Sequence, residues 1–461
     1  MLNGSDAKRR KVYFVSLGCP KNQVDTEVML GVVQNEGCEI VDEAGKADTL
    51  VVNTCGFIDA AKEESVDTIL ELARVKEQTR AKLVVTGCLS QRYPDELAAE
   101  MPEIDHLLGS SDMLGLKDIL RGSGVHRAVS PLGRNAYLYD HAAPRRLSGS
   151  LHRAYIKIAE GCDRPCAFCI IPKLRGPQRS RTVESVVTEA TQLAAQGVKE
   201  VCLVGQDLTT YGTDLSERGF PTANLEELLD ALADVEKLVW IRLHYAFPTT
   251  TRGAIIDRIV SHAKIASYLD VPLQHIDTQV LRRMRRGYGE TQVRQLVDDL
   301  RSRAPRIWLR TTMLVGHPGE SETAFQRLCD FVEEGQIDHL GVFPWSREDG
   351  TPSALLPDRV APEVATARAE QLLGIQDRVR ERRFAELVGT ELTVMIDGES
   401  DESEYLLDAR HEGQAPEIDG KVIVCDLAAE AGEQRTVKII ASETHDLVAS
   451  ADLERLIEER D

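Results

Sequence analysis

Apolar positions in the first part of the chain come in short unbroken runs separated by helical periodicity. Residues 11–17 (KVYFVSL), 49–53 (TLVVN) and 82–86 (KLVVT) are strand candidates, with 104–108 as a fourth. Val24, Val28, Met29 and Val32 recur at three- and four-residue spacing, and a second helical pattern starts near Asp59. Continuous apolar strands joined by helices predict a small parallel α/β domain over residues 10–136. Residues 137–151 contain Pro144, Arg145, Arg146 and Gly149 without a strong period, and read as an ordered linker or an active-site arm.

From 152 to 387 strand and helix alternate six times. Strands are predicted at 154–158, 200–204, 238–243, 268–271, 308–315 and 339–343, each followed by a helix, near 183–196, 225–235, 252–262, 292–303, 322–334 and 362–387. Six consecutive units of this kind form either a doubly wound sheet or a curved, incomplete (β/α) barrel. Both bury their strands on two faces, so the pattern alone does not choose. Beyond Gly389 the texture changes to short segments at 391–396, 404–407, 421–425 and 436–441 between Gly, Pro and Asp turns, which predicts a small β-barrel over 389–455. Residues 452–460 read as a short charged helix or tail.

Composition narrows the setting. The net charge is -20, and residues 389–461 carry 20 acidic and 6 basic side chains, a local charge of -14. Such a segment repels bare nucleic acid and suits a basic protein partner. Tyr405 is its sole aromatic up to Ser450, whereas a strand-binding barrel needs stacking aromatics on a basic groove, so direct nucleic-acid binding is not expected. No run approaches the roughly 18 apolar residues of a membrane span. Residues 1–11 are polar and basic without the apolar centre of a secretory signal, so a cytoplasmic setting is expected.

In that reducing setting the ten cysteines are not expected to form disulfides. Cys38, Cys202, Cys329 and Cys425 sit in ordinary helix or strand patterns and read as small hydrophobes. Cys162, Cys166 and Cys169 follow the first strand of the second region, in the segment Gly161-Cys162-Asp163-Arg164-Pro165-Cys166-Ala167-Phe168-Cys169. Three thiolates spaced by three and two residues can wrap a four-iron cube and leave one iron open for the amino and carboxylate groups of S-adenosylmethionine. A structural zinc site usually takes four protein ligands, and the nearest further candidate is His152, ten residues before Cys162. A redox pair of Cys166 and Cys169 would leave Cys162 without a role.

Ligands at the carboxyl end of a first strand open onto the face where such folds place their chemistry. Gly205 and Gln206, His244 and Tyr245, Gln274 and His275, Arg310, and the 314–320 segment (LVGHPGE) lie at or near later strand ends. Gly205, Gln206, Gln274, His275 and Arg310 are thus candidate cofactor contacts, with caps and turn formers as the competing role.

Cys19, Cys55 and Cys88 stand 36 and 33 residues apart, yet each lies one to two residues beyond a predicted strand and beside Gly18, Gly56 or Gly87. In a parallel sheet those strand ends share one edge, so the sulfurs can converge as a second three-thiolate set; three buried core thiols are the alternative. Arg175, Arg179 and Arg181, and the run Arg282, Arg283, Arg285 and Arg286, suit either phosphate or carboxylate contacts or a salt-bridged surface.

These motifs resemble the methylthiotransferases of the radical S-adenosylmethionine superfamily over nearly the whole chain. The likeness runs through Ser16-Leu17-Gly18-Cys19-Pro20-Lys21-Asn22, Asn53-Thr54-Cys55-Gly56-Phe57, Thr86-Gly87-Cys88, and Ala159-Glu160-Gly161-Cys162 on to Arg175-Gly176. It resumes at Pro272-Leu273-Gln274-His275, at Met284-Arg285-Arg286-Gly287 and around the 315–320 and 341–351 segments, and the end is similar to the small barrel called TRAM. His317 departs from the aromatic residue more usual in that loop.

The resemblance implies an N-terminal α/β domain, a central partial (β/α)6 barrel and a C-terminal antiparallel barrel. It implies two [4Fe-4S] clusters, an auxiliary one on Cys19, Cys55 and Cys88 carrying the sulfur to be transferred and a reducing one on Cys162, Cys166 and Cys169 that splits S-adenosylmethionine. Pro20, the Leu138-Tyr139-Asp140-His141 arm with Pro144-Arg145, and the acidic barrel are similar to the branch acting on a ribosomal protein. That branch implies methylthiolation of an aspartate β-carbon of ribosomal protein S12, with a low-potential electron donor, a sulfur donor and no membrane. A tRNA adenosine methylthiotransferase and a non-catalytic iron-sulfur scaffold are the competing expectations.

Overall fold

The computed structural model describes residues 9–451 except Val125 and Arg252; the terminal helix or tail expected at 452–460 lies outside the described residues. Lys11–Ser16, Thr49–Thr54 and Lys82–Gly87 form the centre of a parallel six-stranded sheet. His106–Leu108 lies beside them, and two-residue strands, Glu39–Ile40 and Arg127–Ala128, close the two edges. Leu50, Val51, Val52, Leu83, Val84 and Val85 are fully buried. This two-sided burial is what the unbroken apolar runs encode. Helix Pro20–Asn35 covers one face and is itself buried on most sides, Asn22, Asp25 and Glu27 included, while Asp59–Thr79 covers the other with its apolar stripe inward.

The second region is also a six-stranded parallel sheet, and its order decides what periodicity left open. Arg153–Lys157, Glu200–Val204, Trp240–Leu243, Ile265–Asp270, Trp308–Val315 and His339–Pro344 neighbour one another strictly in chain order. Monotonic order, with every strand parallel to the last, describes a partial barrel; a doubly wound sheet reverses at a switch point. Ile156, Leu203, Leu243, Leu269, Leu309 and Met313 pack outward in one apolar core with the surrounding helices. Alternate positions, including Glu200, Arg242, His244, Tyr268, Asp270 and Arg310, face the other way, so the concave side is polar and aromatic.

The concave side is filled from two neighbours. Helix Pro20–Asn35 contributes Val24 and Val28 to a core shared with Tyr155, Cys202 and Val204. The segment between these domains is pinned rather than free. Arg145 bridges Glu27 and Glu189 at 2.6 Å each, and the Tyr139 hydroxyl accepts from the Lys157 amide at 3.1 Å.

The C-terminal unit is a closed barrel of Glu391–Ser400, Ser403–His411, Val422–Cys425, Gln434–Ser442 and Leu447–Ser450. Its pairings are antiparallel except Val422–Cys425 with Leu447–Ser450, which run parallel. Five strands in a ring cannot all alternate in direction, so one parallel pair is unavoidable. The turn after His411 reaches into the partial barrel. Arg242 donates to the Glu412 carbonyl at 2.6 Å, the His339 ring meets the Gly413 carbonyl at 2.8 Å, and the Tyr268 hydroxyl donates to Asp419 at 2.8 Å.

Candidate metal and cofactor site

The loop carrying Cys162, Cys166 and Cys169 leaves the first strand of the partial barrel through Ala159–Glu160, which pairs with Arg179–Ser180 and closes the loop at its base. Gly161 turns the chain there with φ +84°, and a Cβ on it would lie 2.1 Å from the Pro177 carbonyl oxygen, so only glycine fits. The Cys162 amide donates to the Gly176 carbonyl at 3.0 Å, and the Cys169 amide to the Cys166 carbonyl at 3.2 Å. Between them the Ala167 amide donates to the Met284 carbonyl and its own carbonyl accepts from the Ser353 amide, at 2.9 and 2.8 Å, which ties the loop to the short helices that follow the fourth and sixth strands of the barrel.

Cys162 Sγ accepts from the Arg164 amide at 3.4 Å and Cys166 Sγ from the Arg286 guanidinium at 3.2 Å. Burial pushes the Cys162 thiol up to about 11 and Cys169 up to about 12, with the neighbouring sulfurs adding to the effect. Without a cation these sulfurs would stay protonated; a bound metal deprotonates a coordinating thiol. Among the described residues no three His, Cys, Asp or Glu side chains converge as ligands of one metal ion. A cube asks for something different, since each thiolate binds its own iron.

Cys19, Cys55 and Cys88 follow three adjacent strands of the first sheet, whose register aligns Ser16 with Asn53 and Asn53 with Thr86. A Cβ on Gly18 would lie 2.8 Å from Cys55 Cβ and 3.1 Å from its Sγ, and one on Gly56 3.0 Å from the Cys88 backbone. The three cysteine segments therefore crowd together at one sheet edge. Burial pushes Cys88 up to about 12, helped by Cys19 and Cys55. The Ser65 hydroxyl brackets Cys55, accepting from its amide at 3.1 Å and donating to its carbonyl at 2.9 Å.

The two cysteine sets face a common interface. Cys88 packs in one small apolar cluster with Ile170, the residue after Cys169, and Leu174. Beside it lies a buried ionic group in which Lys157 pairs with Asp25 and with Glu160 at 2.7 Å. Arg175 joins them at 2.6 Å from Asp25 and 3.2 Å from Glu160. Burial opposes ionisation of Glu160, but Lys157 and Arg175 outweigh it and hold the carboxyl well below its usual range.

The other candidate residues divide. Gly205 and Gln206 belong to this interface: the Gly205 carbonyl accepts from Lys21 at 3.3 Å, and Gln206 donates to Glu160 at 2.7 Å. Gln206 Oε1 is buried without a partner, as are Asp270 Oδ1 and His244 Nε2 on the concave face. Such unspent groups fit a polar cofactor or substrate. Burial raises Asp270 to about 6, against the opposing charge of Arg310.

Gln274 adopts φ +72° and is held by backbone bonds to Thr312 and Leu314, both 2.8 Å. His275 is fully buried, its Nδ1 accepting from the Asp277 amide at 2.9 Å and its Nε2 3.8 Å from Glu320. Arg310 is committed to Asp419 of the C-terminal barrel. Sequence reasoning quoted Lys21 and Glu160 only within motifs and gave them no role, did not name Asp270, and left the arginines open between phosphate or carboxylate contacts and a salt-bridged surface; Arg175 and Arg181 meet carboxylates. Arg175, Arg179, Arg181 and Arg286 are buried, whereas Arg282 and Arg285 are exposed.

Three family models match the chain: Uncharacterized protein family UPF0004 over residues 11–109, Radical SAM superfamily over 156–332 and TRAM domain over 388–451. Among solved structures, the radical S-adenosylmethionine methyltransferase TsrM from Kitasatospora setae superposes with a TM-score of 0.54 at 18% identity, covering 75% of this chain and 77% of that one. The Radical SAM superfamily match and the parallel partial barrel together put the chain among radical S-adenosylmethionine enzymes. Curated relatives narrow the class. Ribosomal protein uS12 methylthiotransferase RimO of Sorangium cellulosum is 47% identical over 442 residues, 95% of this chain and 90% of its own. The protein of that name from Myxococcus xanthus is 46% identical, over 95% and 91%. The chain belongs to the RimO family.

Proposed function

We propose that this protein attaches a methylthio group to the β-carbon of an aspartate of ribosomal protein uS12, using S-adenosylmethionine and two [4Fe-4S] clusters. The observation that supports it most is the meeting of two three-cysteine sets at one interface, where Cys88 touches the residue next to Cys169. When bound, the clusters supply the electron that cleaves S-adenosylmethionine and the sulfur that is transferred.

The chain's own part is binding, orientation and exclusion of water. Cys162, Cys166 and Cys169 would hold the reducing cluster, and Cys19, Cys55 and Cys88 the auxiliary one. Gly205 lets a ligand approach the backbone, and Gln206 and Asp270 offer acceptors at the same interface. Buried Lys21, lying 3.8 Å over the Tyr245 ring, places positive charge two residues from Cys19. Seating both sets among buried side chains would limit access of water to the reacting groups. A low-potential electron donor and a sulfur donor complete the reaction as partners, and the acidic barrel matches a basic ribosomal protein.

The test is anaerobic reconstitution with uS12, S-adenosylmethionine and sulfide, followed by mass mapping. Replacing Cys162, Cys166 or Cys169 by Ala should abolish 5'-deoxyadenosine formation. Replacing Cys19, Cys55 or Cys88 should abolish methylthio transfer while the first cluster still forms. A methylthio group missing from tRNA nucleosides rather than from uS12 in a strain lacking the gene would overturn the substrate.

A further inference from the structure

Each cysteine set has one sulfur that accepts from a buried arginine, but the two arginines differ in origin. Arg286, which meets Cys166 Sγ, belongs to the same domain as its cysteine. Arg175 Nε lies 3.2 Å from Cys88 Sγ across the domain interface, and Arg175 ends the short helix Ile171–Arg175 that begins two residues after Cys169. We propose that Arg175 is a positioning residue through which the loop of the reducing cluster orients the auxiliary ligands and sets the auxiliary cluster's reduction potential. This rests on the two-cluster reading above.

The guanidinium has little freedom. It is 3% exposed, Nη1 is taken by Asp25 at 2.6 Å and Glu160 at 3.2 Å, and Nη2 donates to the Asn22 side-chain oxygen. That fork aims Nε at Cys88. Asn22 passes the restraint on, since its amide nitrogen donates to the Leu17 carbonyl at 2.9 Å and the Thr54 carbonyl at 3.0 Å. Those carbonyls stand two residues before Cys19 and one before Cys55. One side chain from the second domain thus fixes Cys88 directly and the other two ligand segments through a single asparagine.

The electrostatic consequence has a definite sign. A hydrogen bond and a positive charge at a cluster sulfur favour the reduced, more negative cluster and raise its potential. Burial strengthens the effect, because little water screens it. Asp25, on the far side of the guanidinium, tempers it. Removing Arg175 should therefore make the auxiliary cluster harder to reduce, and neutralising Asp25 should do the reverse.

The experiment is an anaerobic redox titration followed by electron paramagnetic resonance. The full chain carries alanine at Cys162, Cys166 and Cys169, so that only the auxiliary cluster responds. A parallel series with alanine at Cys19, Cys55 and Cys88 reports the other cluster. Arg175→Gln should disfavour the reduced auxiliary cluster about tenfold, a downward shift of about 59 mV for one electron. Arg175→Lys, which keeps the charge and loses the fork, should fall between, Asp25→Asn should shift the potential upward, and the other cluster should stay where it was.

Unchanged auxiliary potentials in iron-replete variants would overturn the proposal. So would Arg175→Gln and Asp25→Asn moving in the same direction, or both clusters moving together. Should Arg175→Gln fail to take up iron, Arg175→Lys and Asp25→Asn decide by the same signs; loss of the auxiliary cluster in all three would make the role structural only and overturn it. The titration needs no substrate, so failure to modify uS12 would count against the proposed function alone.

Discussion

Gly161 shows how narrow the tolerance is at single positions. Its left-handed backbone and the Pro177 oxygen 2.1 Å from any Cβ leave no room for alanine. Gly161→Ala should cost about 2–4 kcal/mol of stability. It should also cut iron from about eight to about four per chain by losing the reducing cluster, measured by denaturant midpoint and iron assay. Glu320 offers a second test at this scale. Burial pushes its carboxyl up to about 7, although Arg368 donates to it at 2.8 Å and the Gly316 amide at 2.7 Å. The native protein keeps that proton where the unfolded chain has released it, so stability should fall as pH rises from about 4.5 to about 7, by about 3 kcal/mol in all. Urea unfolding at several pH values should show that slope, and Glu320→Gln should flatten it. The two three-cysteine sets, which we propose as cluster ligands, were legible as sets in the sequence because spacing and strand ends are local features. The meetings of Arg175 with Cys88 and of Arg310 with Asp419 were not, because these partners lie 87 and 109 residues away.

Among the elements, long strands and helices were readable, as were the short strands His106–Leu108 and Val422–Cys425, but other short elements were not. Glu200–Val204, Trp308–Val315 and Pro362–Leu387 appear where their periodicity places them. The two-residue edge strands Glu39–Ile40 and Arg127–Ala128 carry no period, and Ile171–Arg175 and Thr278–Arg283 are too short for an apolar stripe. The turn after His411 is an element whose role only packing reveals. A Cβ on Gly413 would lie 2.2 Å from the Trp308 indole, so backbone and ring are in direct contact. Gly413→Val should displace this turn and loosen the C-terminal barrel while the two α/β domains stay folded. Limited proteolysis should then cut near the end of helix Pro362–Leu387 in the variant and leave it intact in the parent protein.

For the whole molecule, charge distribution matters more than total charge. Acidic excess is concentrated in the last 73 residues, and Tyr405 there is 79% exposed. Long-range attraction for a basic ribosomal protein should weaken as salt shortens the screening length to about 8 Å at physiological strength. KM for intact uS12 should therefore rise with ionic strength far more than KM for a short uncharged peptide carrying the target aspartate, and kcat should hold. Among the described residues no helix is long and apolar enough to cross a membrane. The sequence by itself determined the three segments, most of their elements and the two cysteine sets, because periodicity and spacing report which face of a local segment is apolar or reactive. Tertiary structure chose the partial barrel that periodicity left open and the resemblance implied, and it alone decided that the two sets share an interface and that Arg175 reaches Cys88. Those depend on which strand neighbours which and on side chains far apart along the chain, and no local pattern records such pairings.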